Sequence, residues 1–130
     1  MSIKRIRSSG PFEEKIGYCR AVVAGGWVHV SGTVCECHPD TGEETEDPAA
    51  QCQSILRIIE KALSEAGCRM SDVVRVTYML PDRAEFGPCW PVLSAAFGGN
   101  PPAATMIECG LIDPKYRIEI EVTALVPDAV

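Results

Sequence analysis

The stretch Tyr116-Arg117-Ile118-Glu119-Ile120-Glu121-Val122-Thr123-Ala124-Leu125, preceded by Pro101-Pro102-Ala103-Ala104-Thr105-Met106-Ile107-Glu108, decides the fold class. Successive side chains of a strand point to opposite faces of its sheet. Tyr116, Ile118, Ile120, Val122 and Ala124 therefore share one face, while Arg117, Glu119, Glu121 and Thr123 share the other. Ala103 to Cys109 reads as a second strand beside it. A sheet with one apolar face requires a covering layer, which the upstream sequence must supply.

Helical spacing of apolar residues supplies it twice. Cys52, Ile55, Leu56, Ile59, Ala62, Leu63 and Ala66 recur on one helix face, and Gln53, Arg57, Glu60, Lys61 and Ser64 fall elsewhere. Asp47-Pro48 provides an N-cap and a first-turn proline, and Gly67 is placed to end the helix. A second helix is expected across Glu85 to Phe97, short or irregular at its start because Pro88 and Pro91 remove backbone donors. Between the two, Asp72 to Leu80 is rich in β-branched residues and stops at Pro81-Asp82. Arg20 to Val23 and Trp27 to Ser31 flank Gly25-Gly26 as a hairpin. The order ββαβαββ predicts one domain over residues 1–130: an α+β two-layer sandwich with two helices on one face of the sheet. Apolar or aromatic residues are expected on the uncovered face, which calls for an oligomer.

Composition narrows the function classes. A formal net charge of -6 argues against a sequence-independent nucleic-acid surface, which needs cations to displace counterions from phosphate. The basic start, Met1 to Arg7, is not followed by an apolar run of the signal-peptide kind, and no stretch is long enough to span a membrane, so a cytoplasmic location is expected. Seven cysteines, an odd number, then read as reduced thiols. Cys35-Glu36-Cys37-His38 gathers soft ligands but lacks a second ligand pair, so no metal and no cofactor are expected.

Tyr18, Val30-Ser31-Gly32-Thr33, Pro39-Asp40-Thr41-Gly42-Glu43, Pro101 to Glu108 and Arg117 to Glu121 together resemble the RidA/YjgF family of reactive-intermediate (enamine/imine) deaminases, also described as L-PSP endoribonuclease-like. The resemblance covers nearly the whole chain. It implies a RidA/chorismate-mutase-like mixed sheet, and a homotrimer whose sheets form a barrel-like interior with three small-molecule clefts between subunits. It also implies roles. Tyr18 borders the cleft, although Ile16-Gly17 stands here in place of the family's Gly-Pro dipeptide. Ser31 and Gly32 match a pair whose backbone can bind a carboxylate, glycine letting the ligand approach the main chain. Glu119 matches the glutamate that holds or activates the water attacking an imine. Each also has a structural reading: a packing tyrosine, a bend at a strand end, a solvated or interface carboxylate.

The departure lies at Ala104. In active members the matching residue is an arginine gripping the substrate carboxylate, and a methyl group reproduces no part of that charge-assisted fork. Thr105 and Met106 replace the family's serine and cysteine; threonine keeps a hydroxyl and methionine offers an apolar wall. Arg20, two residues after Tyr18, points to the same side in an extended segment and could approach the cleft instead. Arg117 is a rival, though an ion pair with Glu119 or Glu121 explains it more simply. The expected function is a trimeric small-metabolite binder with weak or no ordinary 2-iminoacid deaminase activity. The alternative is a hydrolase acting on a different imine or enamine, with Glu119 positioning water. Ribonuclease activity is disfavoured by the acidic charge and the lack of suitable histidines.

Overall fold

The period-two stretch forms an interior strand of a six-stranded mixed sheet, in a computed structural model that describes residues 2–127. The strands are β1 (Lys4–Ile6), β2 (Ala21–Ala24), β3 (Trp27–Thr33), β4 (Val73–Leu80), β5 (Ala103–Glu108) and β6 (Glu119–Leu125), in spatial order β1-β2-β3-β6-β4-β5. All neighbours are antiparallel except β4 and β5. A parallel pair needs a crossover. Helix α3 (Trp90–Phe97) supplies it. The β2–β3 hairpin turns at Gly25 and Gly26, with φ of 59° and 83°, values that glycine adopts without steric cost.

Helix α2 (Pro48–Glu65) begins where Asp47 accepts a hydrogen bond from the Ala49 amide (3.2 Å), with Pro48 in the first turn. Its apolar face, Cys52, Ile55, Ile59 and Leu63, is buried against Val28, Val30, Val76, Ile120 and Val122 of the sheet. Each such aliphatic side chain contributes about 1.5–3 kcal/mol by leaving water. Together they fix which face of every strand is inward.

Two expectations change. β1 and a one-turn helix α1 (Glu13–Ile16) precede the predicted hairpin; both are too short to show periodicity. The last strand starts at Glu119 rather than Tyr116 because the buried side chain of Gln51 takes over the preceding backbone. Its Nε2 donates to Thr45 O (2.8 Å) and Lys115 O (2.9 Å), and its Oε1 accepts from Arg117 N (2.8 Å). The uncovered sheet face is mixed, as expected: the polar residues His29, Arg75, Thr77, Glu121 and Thr123 lie on it beside Trp27 and Leu125, which are paired across β3 and β6 and exposed. Further apolar exposure sits at the β5 edge, with Met106 36% and Ile107 44% exposed, and on the surface around Phe12, Ile16 and Ile112.

The second predicted helix is irregular where the prolines fall: 3-10 turns at Arg83–Glu85 and Gly87–Cys89 precede α3. The cysteine-rich turn closes on itself, Cys35 Sγ donating to Cys37 O and His38 Nδ1 accepting from the amides of Asp40 and Thr41. No three His, Cys, Asp or Glu side chains converge on a metal-sized site among the described residues. All seven cysteines are free. The neighbouring Cys89 thiol and burial in the core push the Cys52 thiol well above its usual range, so it stays protonated. Alkylation of the native protein without reductant should therefore label Cys37 and Cys109, the two that are not buried, ahead of the other five, and denaturation should expose all seven. Intramolecular disulfides detected by mass spectrometry would contradict this.

Candidate functional site

A local irregularity builds the site. The β3–β6 ladder pairs Val30 with Val122 but Thr33 with Ile120, so β3 carries one extra residue across Ser31-Gly32. Such a bulge re-aims side chains and interrupts pairing. Here it brings the Gly32 main chain against Glu119, the first residue of β6: a Cβ on Gly32 would lie 2.2 Å from Glu119 Oε2. Only glycine leaves the carboxylate room. Glu119 is half-buried, and burial, helped by the like charge of Glu121 and opposed by Arg20, pushes its pKa above the ordinary carboxylate value.

Arg20 is 6% exposed, and both of its terminal nitrogens are engaged. One terminal nitrogen, Nη1, donates to Gly32 O (2.8 Å) and Thr33 Oγ1 (2.9 Å), and the other, Nη2, donates to Tyr18 Oη (3.4 Å) and lies 3.6 Å from Glu13 Oε2. The guanidinium sits 5.5 Å from the centre of the Tyr18 ring, and its Nε is buried without a partner among the described residues. Glu13 is 3% exposed. Burial alone would raise its pKa, but hydrogen bonds from the Ser8 hydroxyl and amide, with the Arg20 charge, outweigh that and hold it below the usual value. The pair braces the bulge from behind.

In front of the bulge opens a cavity of about 470 Å³. Tyr18, Arg20, Gly32 and Glu119 line it, joined by Glu36, Lys115 and Tyr116. The apolar residues Phe12, Ile16 and Ile112 complete one side. The volume suits a small organic molecule. Of the residues singled out from sequence, Tyr18, Arg20, Gly32 and Glu119 thus meet in one place, whereas Ser31, Thr105 and Met106 do not line the cavity. The Ser31 hydroxyl donates to Cys19 O (2.7 Å). Thr105 Oγ1 accepts from Arg75 on the neighbouring strand, and all six residues of β5, Ala104 included, are exposed. Arg117 is not paired with Glu119 or Glu121; it binds Glu46 at 2.9 Å and approaches Glu85 at 3.8 Å.

Sequence reasoning missed Glu13, Glu36, Lys115 and Phe12. Glu13 lies in a single helical turn with no pattern to mark it. Lys115 and Tyr116 reach the cavity because Gln51 anchors their backbone, a contact between residues 64 apart in the chain. Substituting Gly32 by alanine should change stability by less than about 1.5 kcal/mol, since the clash is with the mobile end of a side chain, yet displace the Glu119 carboxylate and abolish ligand-induced shifts at the site. Ligand binding unchanged in this variant, measured by amide chemical-shift titration, would show that the carboxylate position is immaterial.

Comparison with known proteins gives a consistent picture. A family model described as Endoribonuclease L-PSP matches residues 11–126. A RutC family protein of Pyrococcus abyssi is 32% identical over 108 residues, covering 82% of this chain and 84% of the relative. The crystal structure of a member of the YjgF/YER057c/UK114 family from Mycobacterium tuberculosis superposes with a TM-score of 0.86 at 36% identity, covering 96% of this chain and 100% of that one. A YjgF family member from Neisseria meningitidis gives a TM-score of 0.83 at 29% identity, covering 99% and 98%.

Proposed function

Since the chain belongs to the Endoribonuclease L-PSP family, the YjgF/RidA family of the sequence resemblance, we propose that it is a trimer binding a small metabolite in the Glu119 cavity, with weak or no ordinary 2-iminoacid deaminase activity. The observation that carries this reading is the seating of Glu119 on Gly32 in a ligand-sized cavity, on a chain whose residue 104 is alanine. Glu119, the residue to which the resemblance assigns the holding of water at an imine, lines this cavity. The fork for a substrate carboxylate is absent at its expected position, and Arg20 is spent on Glu13 and the β3 main chain.

Imine hydrolysis needs little more. Water adds to the carbon of the C=N bond, giving a carbinolamine; the C–N bond then breaks, the nitrogen leaving as the amine while the carbon becomes a carbonyl. A carboxyl with a raised pKa can take the proton from the water and return it to the departing nitrogen. This supports a second reading, hydrolysis of an imine or enamine that carries no carboxylate. Nuclease chemistry has less support: neither histidine lines the cavity, and His38 caps a turn.

Trimerisation is supported by the wholly exposed β5 edge with its apolar Met106 and Ile107. Ala104 does not line the Glu119 cavity of its own chain, so a role for residue 104 beside Glu119 would call for a neighbouring subunit. Sedimentation equilibrium at micromolar concentration should give three times the chain mass of 14.0 kDa. A stable monomer would remove the intersubunit cleft.

A further inference from the structure

The charges around the cavity are unequally used. Arg20 faces it but is neutralised by Glu13 and bonded to Gly32 O, Thr33 Oγ1 and Tyr18 Oη. Lys115 reaches it but is paired with Glu44 at 3.5 Å and sits 5.4 Å from the centre of the Tyr116 ring. The two carboxylates of the lining, Glu119 and Glu36, have no ion pair among the described residues. An anion entering this space would meet two carboxylates without ion-pair partners, beside two cations that are already paired, Arg20 acting on Glu119 only at longer range. A cation would meet the reverse, in partly desolvated surroundings where such interactions are stronger than in water. The β5 segment of a second copy, Ala103 to Glu108, contains no cationic residue of its own, and Arg75 beside it is held by Thr105.

The apolar half of the lining describes the rest of the ligand. Phe12, Ile16 and Ile112, all exposed, stand on the cavity wall with Tyr18 and Tyr116. A charged head at Glu119 would leave an apolar body free to cover them, removing exposed hydrocarbon from water.

We propose that this cavity selects small amphipathic organic cations, protonated primary amines on an apolar or aromatic body, and discriminates against carboxylates. The N–H groups donate to Glu119, Glu36 adds longer-range attraction, and the body packs on Phe12, Ile16 and Ile112. The inference rests on the reading of the cavity as a small-molecule site and names the ligand class for it.

The test is a titration of the full chain at low ionic strength and pH 7.5 with benzylammonium chloride, sodium benzoate and benzyl alcohol, followed through backbone amide shifts of Gly32 and Glu119. Benzylammonium is expected to bind at least about 10-fold more tightly than benzoate, the scale of one charge-assisted hydrogen bond gained against a repelled charge. Glu119→Gln should bring benzylammonium to the affinity of benzyl alcohol, and Glu36→Gln should cost roughly 2- to 5-fold, as expected of a more distant charge. Benzyl alcohol affinity should be the same in all three proteins. Benzoate binding as tightly as benzylammonium, or benzylammonium affinity unchanged by Glu119→Gln, would overturn the charge selection and leave the small-molecule site standing. No shift with any of the three probes would overturn both.

Discussion

Replacing Arg20 by alanine is expected to destabilise the protein by about 3–5 kcal/mol at neutral pH, the cost of stripping one partner from a buried ion pair. Arg20 and Glu13 are both buried, 3.6 Å apart, and the substitution also removes donors from Gly32 O and Thr33 Oγ1. Against a total stability of about 5–15 kcal/mol, that is a large fraction. The pH dependence identifies the cause. Glu13 has a lowered pKa in the folded protein, so its ionised form contributes stability that is present above the unfolded value, roughly 4.3, and is lost as pH falls through the lower folded value. Without Arg20 that contribution shrinks or reverses, and the difference between variant and wild type should narrow below about pH 4, as Glu13 becomes protonated in both. Arg20→Lys should recover part of the loss, because the charge returns without the fork. Urea denaturation showing less than about 1 kcal/mol for Arg20→Ala would mean that the pair does not brace the bulge.

The parts of this architecture legible in the sequence were those written as a period. The alternation of Ile118, Ile120, Val122 and Ala124, all buried, announces the covered face, and the Cys52–Leu63 spacing announces α2. What the alternation could not give was its own starting point. Gln51 sits next to Cys52 inside the helical pattern, and nothing local reveals that its amide holds Lys115 and Arg117 and so delays β6 to Glu119. The polar part of the open face was likewise hidden in combination: His29, Arg75, Thr77, Glu121 and Thr123 belong to three strands, and their shared surface appears only once the register is fixed.

The candidate site divides the same way. Gly32 and Glu119 could be picked out individually, and Gly32 hints at a bend, but their contact depends on the one-residue slip between Val30 and Thr33 against β6, a pairing between distant segments. Arg20 shares a side with Tyr18, as the two-residue spacing implies. Its engagement by Glu13 was not readable, because a one-turn helix carries no pattern. The same blindness applied to Arg117, whose partners Glu46 and Glu85 are distant in sequence.

Installing an arginine at position 104 should produce the opposite kind of effect, a gain. Ala104 is exposed on β5, so the longer side chain meets no packed neighbour in its own chain, and in the proposed trimer it reaches the cleft of the next subunit. A bidentate charge-assisted contact to a substrate carboxylate is worth about 1.5–3 kcal/mol. Expressed at the transition state, that corresponds to roughly 10- to 150-fold in rate. Glu119→Gln introduced on top of Ala104→Arg should remove the gain, since anchoring is useless without the group that moves the proton. The most direct test of the account is the rate of hydrolysis of a 2-imino acid, such as the imine derived from 2-aminoacrylate, by the wild-type chain beside Ala104→Arg. The account predicts wild-type turnover close to the uncatalysed rate and a rise of at least about 10-fold in the variant; strong wild-type turnover that Ala104→Arg does not increase would contradict it.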